Sequence, residues 1–196
     1  MRIGLAALAL CGLCSGLIPS ARAARTDVVE GNPDSPVKVL IYEDLQCGDC
    51  ATLRTMLDEK LLPKYGSRVA FIHRDFPLGK HDWARPAAIA ARWVSLQDPE
   101  LGITFRREIL AERNNITPQN LKAWLTEFAA RNKLDQKGIV DSVNDQRLIA
   151  LVDQDRQAAV ARGVTKTPSV YIGGVSFVET IVYEDVARAL DEALSK

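Results

Sequence analysis

The sequence predicts an α/β fold in which a small mixed sheet, with helices on both faces, is interrupted by a long helical block. Three observations predict it. Residues 37–42 and 68–73 are short β-branched, apolar runs on either side of a helical stretch, the pattern of a β-α-β unit. Near the C-terminus two more strand-like runs are joined by Gly173-Gly174 and followed by a helix. Between these halves, residues 82–163 carry helical periodicity alone.

Each element has its own justification, beginning with a segment outside the fold. Met1-Arg2 supplies a charge, residues 3–18 are apolar, and Ala21-Arg22-Ala23 forms an A-x-A pattern, so residues 1–23 are expected to be a cleaved export signal. The rival is a retained anchor, but the apolar stretch is shorter than the roughly 20 residues a spanning helix needs. Residues 24–36 form a polar lead-in. The strand at 37–42 ends just before Cys47, and from Asp49 onward Leu53, Met56, Leu57 and Leu61 recur at helical spacing, with Pro63 expected to limit that helix. The strand at 68–73 runs into an Asp75-Phe76-Pro77-Leu78-Gly79 turn.

In the helical block, Ala84, Ala87, Ala88 and Ala91 share a face, in a helix starting near Pro86, where small residues let another helix approach. Leu121, Trp124, Leu125, Phe128 and Ala129 trace a second helix, with Thr117 as expected N-cap and Pro118 at its first position. Leu148, Leu151, Val152 and Ala159 mark a third, stopped by Gly163. Ser169–Ile172 and Val175–Val178 form a hairpin, and Val186, Leu190, Ala193 and Leu194 line a final helix.

Charge excludes whole classes of partner. With 25 basic and 25 acidic side chains and no basic block, the chain has no electrostatic footprint for nucleic acid or an acidic membrane. The cysteines are more informative. Cys11 and Cys14 lie within the expected signal and leave with it, so the mature chain keeps only Cys47 and Cys50. Two cysteines separated by two residues close almost no loop, so their value is chemical rather than as a staple. Zinc would need two further ligands, and His73 and His81, eight apart, fall outside the usual spacing, so no metal site is expected. No other cofactor site is recognisable.

A dithiol works through its thiolate, which a helix N-terminus stabilises through unpaired N–H groups and the macrodipole. Cys47 takes that position and reads as the nucleophile. Cys50, one turn later on the same side, reads as the resolving thiol. The bland alternative, an inert or passively bridged pair, gains little loop-closure stability.

The segment Tyr42-Glu43-Asp44-Leu45-Gln46-Cys47-Gly48-Asp49-Cys50, with Phe76-Pro77-Leu78 and His81 downstream and Gly163-Val164-Thr165-Lys166-Thr167-Pro168 near the end, resembles the DsbA-like branch of the thioredoxin superfamily. The resemblance covers nearly all of the mature chain. It implies a thioredoxin-like fold in two parts, 24–81 and 164–196, around an inserted helical domain, 82–163. It also implies that Cys47 attacks, that Cys50 resolves, and that Pro168 is a cis-proline beside the pair. Thr167, just before it, would pair its backbone with an extended substrate peptide.

The chain departs from that pattern in two places. Relatives commonly have proline after the first cysteine and a buried acid six residues before it; here these positions are Gly48 and Ile41. Glu43 or Asp44 is the nearest substitute acid, although Asp44 reads equally well as a solvated turn carboxylate. Gly48 and Asp49 are expected to tune the redox poise, because no cation lies between the sulfurs and Asp49 adds a negative charge. His73 reads as a strand-end histidine, His81 as a local hydrogen-bonding residue, and Trp83, Trp93 and Trp124 as core or domain contacts.

The expected function is an exported thiol-disulfide oxidoreductase of the periplasm or cell envelope. It would exchange disulfides with cysteine-containing exported proteins and be reoxidised by a membrane redox partner. A reductase or isomerase with the same dithiol reverses the electron flow. A non-catalytic, chaperone-like peptide binder is the reading from another class.

Overall fold

Five strands form one sheet in the computed structural model, which describes residues 27–196. The expected signal over residues 1–23, with Cys11 and Cys14, lies outside the described residues. The strands are β1 (Val28–Gly31), β2 (Lys38–Glu43), β3 (Ala70–Asp75), β4 (Ser169–Ile172) and β5 (Val175–Val178), in the spatial order β1-β3-β2-β4-β5. β2 and β3 run parallel, and the other pairings are antiparallel.

The parallel pair needs a crossover. α1 (Gly48–Met56) supplies it, continuing through a π-helical turn (Leu57–Leu61) into α2 (Leu62–Tyr65). The helix therefore passes Pro63, where the sequence predicted its end. In the wider turn the Leu62 N–H bonds five residues back to Leu57, a local change of register just ahead of a residue that has no N–H to offer.

Alternation along β2 sends its side chains to opposite faces. Val39 and Ile41 pack with Leu53, Leu57 and Leu61 and with Val186 and Leu190 of α8 (Tyr183–Leu194). Tyr42 faces the other way, toward Phe76, Ala159 and Val164. Helices thus cover both faces.

Five helices separate β3 from β4: α3 (Ala84–Gln97), α4 (Pro99–Glu112), α5 (Leu121–Arg131), α6 (Gln136–Asp141) and α7 (Gln146–Ala161). The alanine face of α3 is buried as predicted. Its close approach to α4 is enforced by Gly102, where an added Cβ would fall 2.8 Å from the Cα of Ser95. The helix α4 was not anticipated, because its buried face mixes Ile103, Phe105 and Ile109 with a buried arginine, Arg106. The helix α5 starts later than predicted. Asn120 is its N-cap, and Thr117 and Asn120 exchange backbone-to-side-chain hydrogen bonds in a turn of their own, leaving Pro118 outside the helix.

Two strand assignments also change. The second strand spans residues 70–75 rather than 68–73, and the supposed lead-in contains β1, whose four residues are too few to display an alternating pattern. The C-terminal hairpin matches expectation, with Gly173 and Gly174 at φ 54° and 93°, the positive values a two-residue primed turn requires.

Candidate active site

Cys47 is the N-cap of α1, in an extended conformation (φ −79°, ψ 130°), and no side chain caps the helix. The free N–H groups of the first turn are therefore available to a charge at this end. Cys47 is 8% exposed and Cys50 1%, and both are free thiols. A hydrogen bond from Cys50 is the largest influence on Cys47. With the hydroxyl of Thr167 and the backbone N–H groups of Cys50 and Asp49, it outweighs burial and lowers the Cys47 pKa to about 6. Burial, then the neighbouring Cys47, pushes Cys50 well above the usual thiol value. The sulfur of Cys50 accepts from the Asp44 N–H at 3.4 Å.

The opposite wall comes from the far end of the chain. Antiparallel pairing sets Tyr42 against Ser169, which carries the preceding loop to the start of α1. The Cys47 thiol donates to the carbonyl oxygen of Thr167 at 3.4 Å, and the Thr167 side-chain oxygen, also buried, makes no hydrogen bond within the protein. The Thr167–Pro168 peptide bond is cis. Ser169 Oγ donates to the Lys166 carbonyl at 2.7 Å, and the Glu179 N–H donates to the Pro168 carbonyl at 2.9 Å, so the loop is fixed on both sides. Between it and the turn at 78–80 lies a cleft of about 370 Å³ with Cys47 in its wall and Asp49 at its rim. Gly48 and Asp49 are both exposed.

Asp44 is turn-forming but not solvated, which removes half of the sequence reading. Its side chain is fully buried and accepts from the N–H groups of Gln46 and Leu78, each at 2.7 Å, with His81 Nδ1 at 2.8 Å. The acid therefore staples the 78–81 turn beside the dithiol, and His81, expected to bond locally, instead bonds across the fold to Asp44.

Glu43 belongs to a buried ion network that the sequence did not reveal. Burial opposes its charge, yet His73 and Arg106 hold its pKa below the usual carboxylate range. Fully buried His73 sits between Glu43, 3.0 Å from Nδ1, and Glu30, 2.8 Å from Nε2. Arg106 bonds Glu43 at 2.9 Å and Asp75 at 2.6 Å, Arg54 joins Glu30 to Asp58, and Arg92 joins Asp75 to Asp155. A usable clue was the charged Arg106 on an otherwise apolar helical face. Trp83 and Trp124 are buried in the cluster that also holds both cysteines, and Trp93 packs at its edge.

The family model described as Thioredoxin matches residues 23–192. This chain belongs to the thioredoxin family. Within that family its fold is close to that of BdbD from Bacillus subtilis, with a TM-score of 0.78 at 18% identity over 87% of this chain and 94% of that one. Wolbachia pipientis alpha-DsbA1 gives 0.75 at 21%, covering 86% and 91%. These likenesses show a thioredoxin fold with a helical insert. Among sequence relatives, the "Putative protein-disulfide oxidoreductase RP025" of Rickettsia prowazekii is 27% identical over 172 residues, 86% of this chain and 61% of that protein. Salinispora tropica "Na(+)/H(+) antiporter NhaA 3" is 30% identical over 151 residues, 76% of this chain. The thioredoxin chain spans only 22% of that antiporter.

Proposed function

We propose that this thioredoxin-family chain is an exported thiol-disulfide oxidoreductase acting through Cys47 and Cys50. The observation that carries the reading is the contrast between the two sulfurs: one at a helix N-terminus with a lowered pKa beside an open cleft, the other buried with a raised pKa. In the oxidised form a substrate thiolate attacks the Cys47 sulfur, the Cys47–Cys50 bond breaks, and Cys50 leaves as a thiolate that takes up a proton. A second substrate thiolate then attacks the substrate sulfur of the mixed disulfide and releases Cys47 as a thiolate. The substrate loses two electrons and the pair gains them. Stabilising the Cys47 thiolate favours the reduced pair and hence the oxidising direction.

Thr167 and Pro168 form the wall against which an extended substrate would lie, pairing with main chain rather than reading sequence. Gly48 and Asp49 set the poise. Residues 24–81 and 164–196 make the catalytic domain and 82–163 the insert. Residues 1–23 direct export to the periplasm or cell envelope. Cysteine-containing exported proteins are the substrates, and a membrane redox partner restores the disulfide.

The test combines activity with in-cell state. Wild type should promote oxidative refolding of a reduced disulfide protein and Cys47→Ser should not. Acid trapping followed by alkylation should find Cys47 oxidised in the envelope. A predominantly reduced pair would reverse the direction, and equal activity of Cys47→Ser would end the catalytic reading.

A further inference from the structure

Arg113 stands beside the dithiol without any role in the exchange steps above. It opens the short 3-10 turn Arg113–Asn115 that follows α4, and it is half-buried. The residue next to the nucleophile, Gly48, has no side chain, and an atom at its absent Cβ position would lie 3.9 Å from both Nε and Nη2 of Arg113. Nη1 of the same guanidinium donates to the Leu110 carbonyl at 3.1 Å. One end is therefore anchored, and the Nε–Nη2 edge is presented over Gly48. That edge is a planar fork that grips a carboxylate by two parallel hydrogen bonds.

No carboxylate among the described residues occupies the fork. Glu112, next in sequence, accepts from Trp124 Nε1 at 2.7 Å. Asp58, which shares a surface hollow with Arg113, is held by Arg54 and Arg107. Asp49 lines the cleft on the other side of Cys47. The 165–167 loop borders Cys47 from that cleft, whereas Arg113 lies across Gly48 with Ala51 and Thr55 of α1. A peptide that pairs with the loop and offers its cysteine to Cys47 reaches the fork by continuing over Gly48, where no side chain stands between it and Arg113.

We propose that Arg113 is a specificity-determining residue whose Nε–Nη2 edge binds a carboxylate side chain flanking the substrate cysteine. The assignment rests on the dithiol exchange proposed above and names the substrates it favours: thiols with a neighbouring Asp or Glu.

Two dithiol peptides, identical except for Asp or Asn beside the reacting cysteine, test it against the oxidised protein. Each rate is divided by that peptide's rate with the uncharged disulfide of 2-mercaptoethanol, which removes the effect of the carboxylate on its own thiol. The normalised rate should be about three- to fivefold higher for the Asp peptide, as befits a partly exposed bidentate ion pair. Arg113→Gln should bring the ratio to one, Arg113→Glu should take it below one, and Arg113→Lys should retain part of the preference. A wild-type ratio of one, or a preference that survives Arg113→Gln, overturns the assignment. Failure to oxidise either peptide overturns the exchange reading, and this assignment with it.

Discussion

Cys47 Sγ lies 3.4 Å from the carbonyl oxygen of Thr167, a residue 120 positions further along the chain. The contact joins the junction of β2 and α1 to the start of the last hairpin, and it places a buried hydroxyl, that of Thr167, beside the Cys47 sulfur. Thr167→Val keeps the shape and removes that hydroxyl. The Cys47 pKa should rise by about half a unit to one unit, as befits one lost hydrogen bond to a charged group partly offset by solvent. Thiolate absorbance against pH measures it, and an unchanged midpoint would show that the hydroxyl does not reach the thiolate.

The unequal sulfurs predict unequal reactivity. With its pKa lowered to about 6, Cys47 is mostly thiolate at pH 7, whereas buried Cys50 stays protonated. Cys47 should be alkylated first in the reduced protein, and Cys50→Ser should trap substrates as mixed disulfides while Cys47→Ser captures none. Faster modification of Cys50, read by peptide mass mapping, would reverse the assigned roles.

Asp49 is exposed in the first turn of α1, two residues after Cys47, whose thiolate the helix end stabilises. Asp49→His replaces a like charge by a partial cation. The Cys47 pKa should fall and the disulfide should become more oxidising, by roughly 30 mV for each 1.4 kcal/mol of added thiolate stabilisation. Equilibration with glutathione reads the potential. A shift in the opposite direction would mean that the helix end and the Thr167 loop, rather than Asp49, set the poise.

The buried network predicts a stability optimum in mildly acidic solution. Burial disfavours the charged His73, but Glu43 and Glu30 outweigh it and raise its pKa. Its contribution is therefore complete below the unfolded value near 6.5 and is lost as pH rises through the higher folded value. Glu30 resists burial through His73 and Arg54 and falls to about 2, and Glu43 is lowered likewise. Their contribution is present above the unfolded value near 4.3 and is lost as pH falls through the folded ones. Urea midpoints, measured with Cys47→Ser to remove the thiol titration, should peak between about pH 4.5 and 6.5. His73→Gln should flatten the alkaline limb, and a midpoint that does not fall on that side would refute the charged His73.

Arg106 is the strongest single test of the same network. Fully buried, it holds Glu43 and Asp75 together. Arg106→Met would take from Asp75 its main cation and from Glu43 the partner that supports it beside His73, at a cost of about 3–5 kcal/mol. Chemical denaturation measures the loss, and a variant as stable as wild type would mean that the acids are protonated or rescued by Arg92 and His73.

What the sequence determined by itself is local. Cys47 at a strand-to-helix junction, Cys50 one turn later, the Gly173-Gly174 hairpin and the alanine face of α3 each follow from spacing and backbone preference within a few residues. The helices expected on both faces of the sheet follow from the order of those elements. Local patterns also misled where a neighbour outside the window decided the outcome. Pro63 stays helical because a π turn resets the register before it, and Thr117 serves a turn that leaves Asn120, not Thr117, at the N-cap position.

Only the tertiary structure decided which charges are buried together. Glu30, Glu43, His73, Asp75, Arg92 and Arg106 come from five separate elements, and nothing in their spacing announces a network. Their charges are tolerable in the interior because each is paired by a residue far away in sequence. The same holds for Asp44, buried by a turn more than thirty residues on, and for Arg113, which the insert carries to Gly48. Periodicity reports which face of an element is buried, but the identity of a polar partner depends on how the elements are assembled.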